Sequence, residues 1–117
     1  MRPQTVLIVD DEPDIRRVVG EILRDEGLHI ETAENADVAR EKYKKHSPDL
    51  VLVDIWMPDT DGVTLLKEWK TGEDSPPVVM ISGHGTVETA VESVRAGAYD
   101  FLEKPLSTAK LLVTVER

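Results

Sequence analysis

The chain has 117 residues, 40% of them hydrophobic and none of them cysteine, which fits a single domain and excludes disulfides, thiol catalysis and thiolate metal sites. Its formal net charge is −9, from 23 acidic and 14 basic residues without a basic stripe, so we expect no direct nucleic-acid binding by this domain. No apolar run approaches the roughly 18 residues of a membrane span and no secretory signal opens the chain, which predicts a cytoplasmic protein without membrane contact.

Short apolar runs alternate with helical periodicity along the whole chain. The predicted strands are, in chain order, Val6–Val9, His29–Thr32, Leu50–Asp54, Val78–Ile81 and Tyr99–Leu102. The predicted helices run from Pro13 to a C-cap at Gly27, from an N-cap at Asn35 to Lys45, from the turn Asp59–Gly62 through Trp69, from a cap at Thr86 to Gly97, and from Ser107 onward. This alternation predicts an α/β fold, a single doubly wound (βα)5 domain in which right-handed crossovers cover both faces of a parallel sheet.

Two features of the last two helices bear on the surface and on the extent of the chain. In the fourth helix, Ala90, Val91 and Val94 lie on one apolar face. The last helix is predicted to stop at Val115-Glu116-Arg117, about three turns after Ser107 and without a glycine or asparagine C-cap. Such an abrupt end indicates that residues 1–117 are the N-terminal fragment of a longer chain; a short helix that frays is the alternative.

Acidic residues follow two of the predicted strands. Asp10 and Asp11 come after the first strand, and Asp54 ends the third. Because the carboxyl ends of parallel strands meet at one edge of a sheet, these carboxylates should converge there and repel one another unless a hard cation such as Mg²⁺ joins them. Ser82 and Lys104, at the ends of the fourth and fifth strands, reach the same edge. A set of metal ligands, a carboxylate nucleophile, a hydroxyl and a cation is typical of phosphoryl transfer.

With these residues in place, the chain resembles the receiver domain of bacterial two-component response regulators over essentially all of residues 1–117. The motifs that carry the resemblance are Asp10-Asp11-Glu12, Asp54-Ile55-Trp56-Met57-Pro58 with Asp61-Gly62, Ser82-Gly83, and Lys104-Pro105. The resemblance implies a flavodoxin-like sheet with the strand order 2-1-3-4-5.

The resemblance also implies roles for the acidic residues. Asp54 would be the phosphoacceptor, receiving a phosphoryl group from a sensor histidine kinase, in a protein that is not an enzyme acting on separate substrates. Asp11 and Asp54 would bind Mg²⁺ directly together with the backbone carbonyl of Trp56, and Asp10 would act mainly through a coordinated water.

A switch and a partner surface follow from the same resemblance. Lys104 would pair with the phosphoryl group, Ser82 would hydrogen-bond it, and the aromatic ring of Phe101 would turn inward as Ser82 moves. We expect a homodimer through the face formed by residues 86–117, its strength shifted by phosphorylation. His84, two residues after Ser82, either tunes the phosphoryl lifetime or is a solvated loop histidine.

A finer resemblance lies in residues 83–90 and 97–105. These stretches are similar to receivers of the NtrC/NtrX group of sigma-54-dependent transcriptional regulators, which implies an ATPase domain and a DNA-binding domain as effectors in the full-length chain.

Two other functions are weighed against this one. A phosphohydrolase of the haloacid-dehalogenase type also uses a strand-end aspartate and Mg²⁺. Its motif requires a second aspartate two residues later, where this chain has Trp56. A receiver-like interaction module that takes no phosphate is the other alternative, and the complete set of five site residues argues against it.

Overall fold

Five parallel strands form one sheet, and a helix follows each of them. The computed structural model describes residues 4–57, 62–70, 75–83, 87–104 and 108–116. The elements are β1 (Thr5–Val9), α1 (Pro13–Asp25), β2 (His29–Ala33), α2 (Ala36–His46), β3 (Leu50–Asp54), α3 (Gly62–Trp69), β4 (Val78–Ser82), α4 (Val87–Arg95), β5 (Asp100–Glu103) and α5 (Thr108–Glu116). The strands stand in the order β2-β1-β3-β4-β5, which confirms the predicted flavodoxin-like topology.

Three residues predicted to cap helices, Asn35, Gly27 and Gly97, have the expected geometry. The side chain of Asn35 accepts a hydrogen bond of 2.9 Å from the backbone N–H of Val38, as an N-cap should. Gly27 and Gly97 close α1 and α4 with φ angles of +86° and +104°, a conformation that favours glycine. The predicted cap at Thr86, the start at Ser107 and residues 58–61 of the turn before α3 lie outside the described residues.

Both faces of the sheet are covered by apolar layers. Leu7 and Val9 of β1 contribute to the layer that contains residues of α2 and α3, whereas Val6 and Ile8 contribute to the layer that contains residues of α1 and α5. This alternation follows from the two-residue period of a strand, and burial on both faces explains why the central strands are continuous apolar runs. In the described part of the chain, no helix is both long and apolar enough to cross a membrane.

Helix α4 turns Val91 and Val94 toward solvent. Val91 and Val94 are 43% and 62% exposed, while Ser93 is fully buried and its hydroxyl has no hydrogen-bond partner within the described part of the chain. The small side chain of Ser93 is thus buried, whereas two residues of the predicted apolar face, Val91 and Val94, lie at the surface. Tyr99 and Val113 are also exposed, so we define these four residues, Val91, Val94, Tyr99 and Val113, as the α4-β5-α5 apolar patch.

Candidate functional site

The carboxyl edge of the sheet carries the residues singled out by their positions after strands. Asp10 follows β1, Asp54 ends β3, and Ser82 ends β4. The register pairs β1 with β3, β3 with β4, and β4 with β5, so four adjacent strands deliver these side chains and Lys104 to one edge. The structure brings the side chains of Asp10, Asp54 and Lys104 into contact.

Four carboxylates gather at this edge. Asp10, Asp11, Glu12 and Asp54 each offer an oxygen, and these atoms lie within 4.8 Å of one another; we call them the acidic cluster. Asp10 is fully buried and Asp54 is 3% exposed, whereas Asp11 and Glu12 are accessible to solvent. Glu12 was not among the predicted site residues, although its place in an unbroken acidic run was the signal that could have found it.

The ammonium group of Lys104 lies among the carboxylates. Its Nζ is 2.8 Å from Glu12 Oε1, 3.1 Å from Asp10 Oδ2 and 3.5 Å from Asp54 Oδ2. Burial alone would lower the pKa of Lys104, but the hydrogen bond to Glu12, the ion pair with Asp10 and the nearby negative charges raise it. Lys104 is therefore a permanent cation that offsets part of the negative charge of the acidic cluster.

The buried carboxylates resist ionisation. Burial, and then the charge of Asp10, raise the pKa of Asp54 to about 6. Lys104 and the hydrogen bond from the backbone N–H of Trp56 lower this pKa, but by less. Burial also raises the pKa of Asp10, although the hydrogen bond from the backbone N–H of Glu12 and the charge of Lys104 lower it in part. Lys104 offsets only part of the repulsion between these carboxylates, so a second cation at the acidic cluster would relieve the rest.

Backbone contacts fix the turn that carries Asp54. The backbone N–H of Trp56 donates to Asp54 Oδ1 at 3.3 Å, and the N–H of Gly62 donates to the carbonyl of Ile55 at 2.7 Å. A Cβ atom at Gly62 would collide with the carbonyl of Asp54 and the side chain of Val53. Only glycine therefore lets α3 begin so close to β3. The indole of Trp56 is 53% exposed beside the cluster.

The donor set fits a hard divalent cation. Among the described residues, none donates a hydrogen bond to the buried Oδ2 of Asp10, because Lys104 Nζ approaches it as an ion pair but is not aligned as a hydrogen bond. Buried carboxylate oxygens normally have such a partner. Oxygen ligands at this spacing, with two residues accessible to solvent, suit Mg²⁺, which retains several waters when it binds.

The two residues assigned to the switch lie on β4 and β5. Ser82 is buried, and its carbonyl accepts a hydrogen bond of 2.8 Å from the backbone N–H of Lys104. Phe101 is partly buried against the apolar layer that contains Leu7 and Trp69. His84 lies outside the described residues.

Comparison with known proteins places these residues in a family context. Residues 6–116 match the response regulator receiver domain. The chain is 48% identical over 114 residues to the nitrogen assimilation regulatory protein NtrX of Azorhizobium caulinodans, covering 96% of this chain and 25% of that protein. It thus spans about a quarter of the length of such relatives.

Solved structures agree in fold. The crystal structure of the receiver domain of NtrX from Brucella abortus matches with a TM-score of 0.89 and 49% identity, covering 96% of this chain and 95% of that one. The solution structure of the beryllofluoride-activated NtrC4 receiver domain dimer matches with a TM-score of 0.90 and 41% identity, covering 96% and 93% of the two chains.

Proposed function

Because this chain belongs to the response regulator receiver domain family and is closely similar to NtrX and NtrC-like regulators, we propose that it is the phosphoacceptor switch of a two-component system. Receiver domains are signalling switches rather than metabolic enzymes. In this proposal, Asp54 accepts a phosphoryl group from a sensor histidine kinase in a Mg²⁺-dependent reaction. The change on Asp54 then alters an output face that regulates a transcriptional effector.

The observation that carries the proposal is the environment of Asp54. It is a buried strand-end carboxylate with Lys104 Nζ 3.5 Å from Oδ2 and an acidic cluster beside it. A carboxylate oxygen of Asp54 attacks phosphorus, and the bond from phosphorus to the histidine nitrogen of the kinase breaks. The electron pair of that bond stays on the imidazole, which takes up a proton. The product is an acyl phosphate on Asp54.

Individual residues have distinct parts in this step. Asp11, Asp54 and the backbone carbonyl of Trp56 would hold Mg²⁺, with Asp10 acting through a water, and the bound ion would neutralise charge on the phosphoryl oxygens. Lys104 supplies a second positive charge at the same oxygens. Ser82 donates its hydroxyl hydrogen to the phosphoryl group once the group has arrived.

A phosphodonor experiment tests the proposal against its alternatives. We expect phosphoramidate with Mg²⁺ to add one phosphate to the protein, and Asp54→Asn to remove this mass gain. Intact-mass measurement over time separates the cases: the proposal requires an adduct that accumulates, a phosphohydrolase would release phosphate over many turnovers, and an inactive module would show neither. Equal labelling of Asp54→Asn would exclude Asp54 as the acceptor.

The α4-β5-α5 apolar patch supports a homodimer through the face of residues 86–117. Three exposed valines and a tyrosine lie there, with charged side chains around them at Arg95, Glu103 and Lys110. Such a mixture suits a self-complementary two-fold contact. The receiver domain of NtrC4 is described as a dimer when activated by beryllofluoride. In this chain, Ser82 and Phe101 would couple Asp54 to the patch.

Sedimentation with and without beryllofluoride tests the dimer. We expect the activated protein to shift toward the dimer, and Val94→Asp to weaken the shift because it places a charge in the apolar patch. Val18→Asp is the matched control, since Val18 is also exposed but lies on α1. If the mass distribution is unchanged by activation, or if both variants behave alike, the dimer proposal fails.

The remaining parts of the proposal concern the whole protein. The relatives are about four times longer than the matched region, so we propose effector domains of the NtrC type after the receiver, which regulate transcription from the cytoplasm. The receiver itself carries a net charge of −9 and would leave DNA binding to those domains.

A further inference from the structure

Arg16 reaches back from the first turns of α1 to the turn that carries the acidic cluster. Its Nη1 donates a hydrogen bond of 2.7 Å to the backbone carbonyl of Asp10, six residues earlier in the chain. Its own backbone N–H donates to the carbonyl of Glu12 at 3.2 Å. One residue therefore ties the end of β1 to the start of α1, with Asp11 and Glu12 in between.

The bond from Arg16 completes a set of restraints on Asp10. The backbone N–H of Asp10 donates to the carbonyl of Ala33 at 3.1 Å, and Oδ1 of Asp10 accepts from the N–H of Glu12 at 2.9 Å. The first bond anchors the residue to β2, and the second orients its carboxylate. Arg16 holds the remaining polar group of the backbone, the carbonyl, through a charge-assisted donor.

This carbonyl belongs to the peptide unit that joins Asp10 to Asp11. Because a peptide unit is planar, fixing its oxygen also fixes the direction of the N–H and Cα of Asp11. The direction in which the Asp11 carboxylate leaves the backbone therefore depends on the contact with Arg16. The bond goes to a neutral carbonyl, so its direct effect is on the shape of the turn.

We propose that Arg16 is a positioning residue for cation binding, which presets the β1–α1 turn so that Asp10 and Asp11 present their oxygens to Mg²⁺. This inference rests on the Mg²⁺ requirement in the proposed function. Groups that orient metal ligands without touching the ion typically change metal affinity by about 10–100-fold when they are removed. A preformed turn lowers the entropy that the ligands lose on binding.

Arg17 provides a matched control for Arg16. It is the next residue on α1, its side chain is 60% exposed, and its described ion pairs join Asp14 at 3.7 Å and Glu21 at 3.8 Å along the same helix. Replacing either arginine by methionine removes one positive charge and keeps an apolar stem, but only Arg16→Met removes the bond to the turn.

The experiment is a Mg²⁺ titration followed by the fluorescence of Trp56, which is exposed beside the cluster. Trp69 is buried and stacked on Tyr43 with ring centroids 4.5 Å apart, so it provides a steady background. We expect the dissociation constant to rise roughly tenfold in Arg16→Met and to change less than about twofold in Arg17→Met. The initial rate of phosphorylation of Arg16→Met should recover at saturating Mg²⁺.

Arg16→Lys and Arg17→Lys keep the charge and decide the question if Arg16→Met does not fold. Lysine retains the charge and an N–H donor group but not the planar fork, so we expect Arg16→Lys to bind Mg²⁺ with an affinity between those of the wild type and Arg16→Met. Equal dissociation constants for the paired Arg16 and Arg17 variants would overturn the inference. A lower melting temperature of Arg16→Met with an unchanged Mg²⁺ affinity would also overturn the inference, because Arg16 would then have only a structural role. A wild-type protein that does not respond to Mg²⁺ would contradict the proposed function itself, and this inference with it.

Discussion

Replacing Asp54 by asparagine is expected to stabilise the Mg²⁺-free protein, by about 1–3 kcal/mol at neutral pH. The raised pKa of Asp54, about 6, means that the folded state disfavours the ionised carboxylate, chiefly because of burial and then because of the charge of Asp10. Asparagine keeps the shape and the oxygen that accepts from Trp56 but carries no charge. For a domain of this size the gain corresponds to roughly 4–12 °C in melting temperature.

The pH dependence of this gain has a defined sign. The folded-state pKa of about 6 lies above the unfolded value of 3.8, so the folded wild type binds the proton more tightly than the unfolded chain does. The destabilisation by Asp54 is therefore fully present above about pH 7 and is relieved as the pH falls through 6 toward 4. The difference in melting temperature between Asp54→Asn and wild type should shrink over the same range.

Thermal unfolding in EDTA between pH 5 and pH 8 measures this prediction. Glu41→Gln is the control, because it removes one negative charge from an exposed position on α2 and should leave the melting temperature nearly unchanged at every pH. A melting temperature of Asp54→Asn below that of the wild type at pH 7.5 would mean that the acidic cluster does not strain the fold.

Lys104→Met should have an effect of the opposite sign, a loss of about 3 kcal/mol or more in the absence of Mg²⁺. Lys104 Nζ lies within 3.5 Å of an oxygen on each of Asp10, Glu12 and Asp54. Methionine preserves most of the apolar stem but leaves the buried carboxylates uncompensated. Removal of one partner of a buried ion pair is costly because the other charge stays buried.

Melting temperatures with and without Mg²⁺ test this expectation. Mg²⁺ should restore more of the stability of Lys104→Met than it adds to the wild type, because the ion replaces a missing positive charge. Lys45→Met, on the exposed end of α2, controls for loss of a lysine. In the double variant with Asp54→Asn, the two effects should couple rather than add. An unaltered melting temperature in Lys104→Met would mean that Lys104 does not stabilise the acidic cluster.

The strands are accessible from the sequence because their burial on both faces leaves a simple apolar signal, whereas their order across the sheet was implied only by the family resemblance. The fifth strand is displaced by one residue from its predicted position. Gly97 closes α4, the backbone N–H of Tyr99 donates to the carbonyl of Val78, and the pairing of β5 with β4 begins at Asp100. Such shifts depend on the geometry of one turn rather than on any periodic pattern.

Two features of the site and surface were not predicted from the sequence, for a related reason. Three consecutive acidic residues follow β1. Which of them contacts Lys104 depends on where α1 begins and on the shape of the turn that Arg16 contacts. Glu12 was missed because the sequence pattern does not specify that shape. An apolar face on a predicted helix likewise does not reveal whether that face packs on the core or is exposed to solvent. In α4, the small Ser93 is buried and Val94 is exposed.

Chemical trapping of the acceptor tests the central claim most directly. Borohydride reduces an acyl phosphate to an alcohol, so an aspartyl phosphate becomes homoserine. After incubation with phosphoramidate and Mg²⁺, followed by reduction, digestion and peptide mass spectrometry, the account predicts homoserine at position 54 and at no other aspartate. Homoserine at position 10 or 11, or phosphate that survives on a histidine while residue 54 remains aspartate, would contradict it.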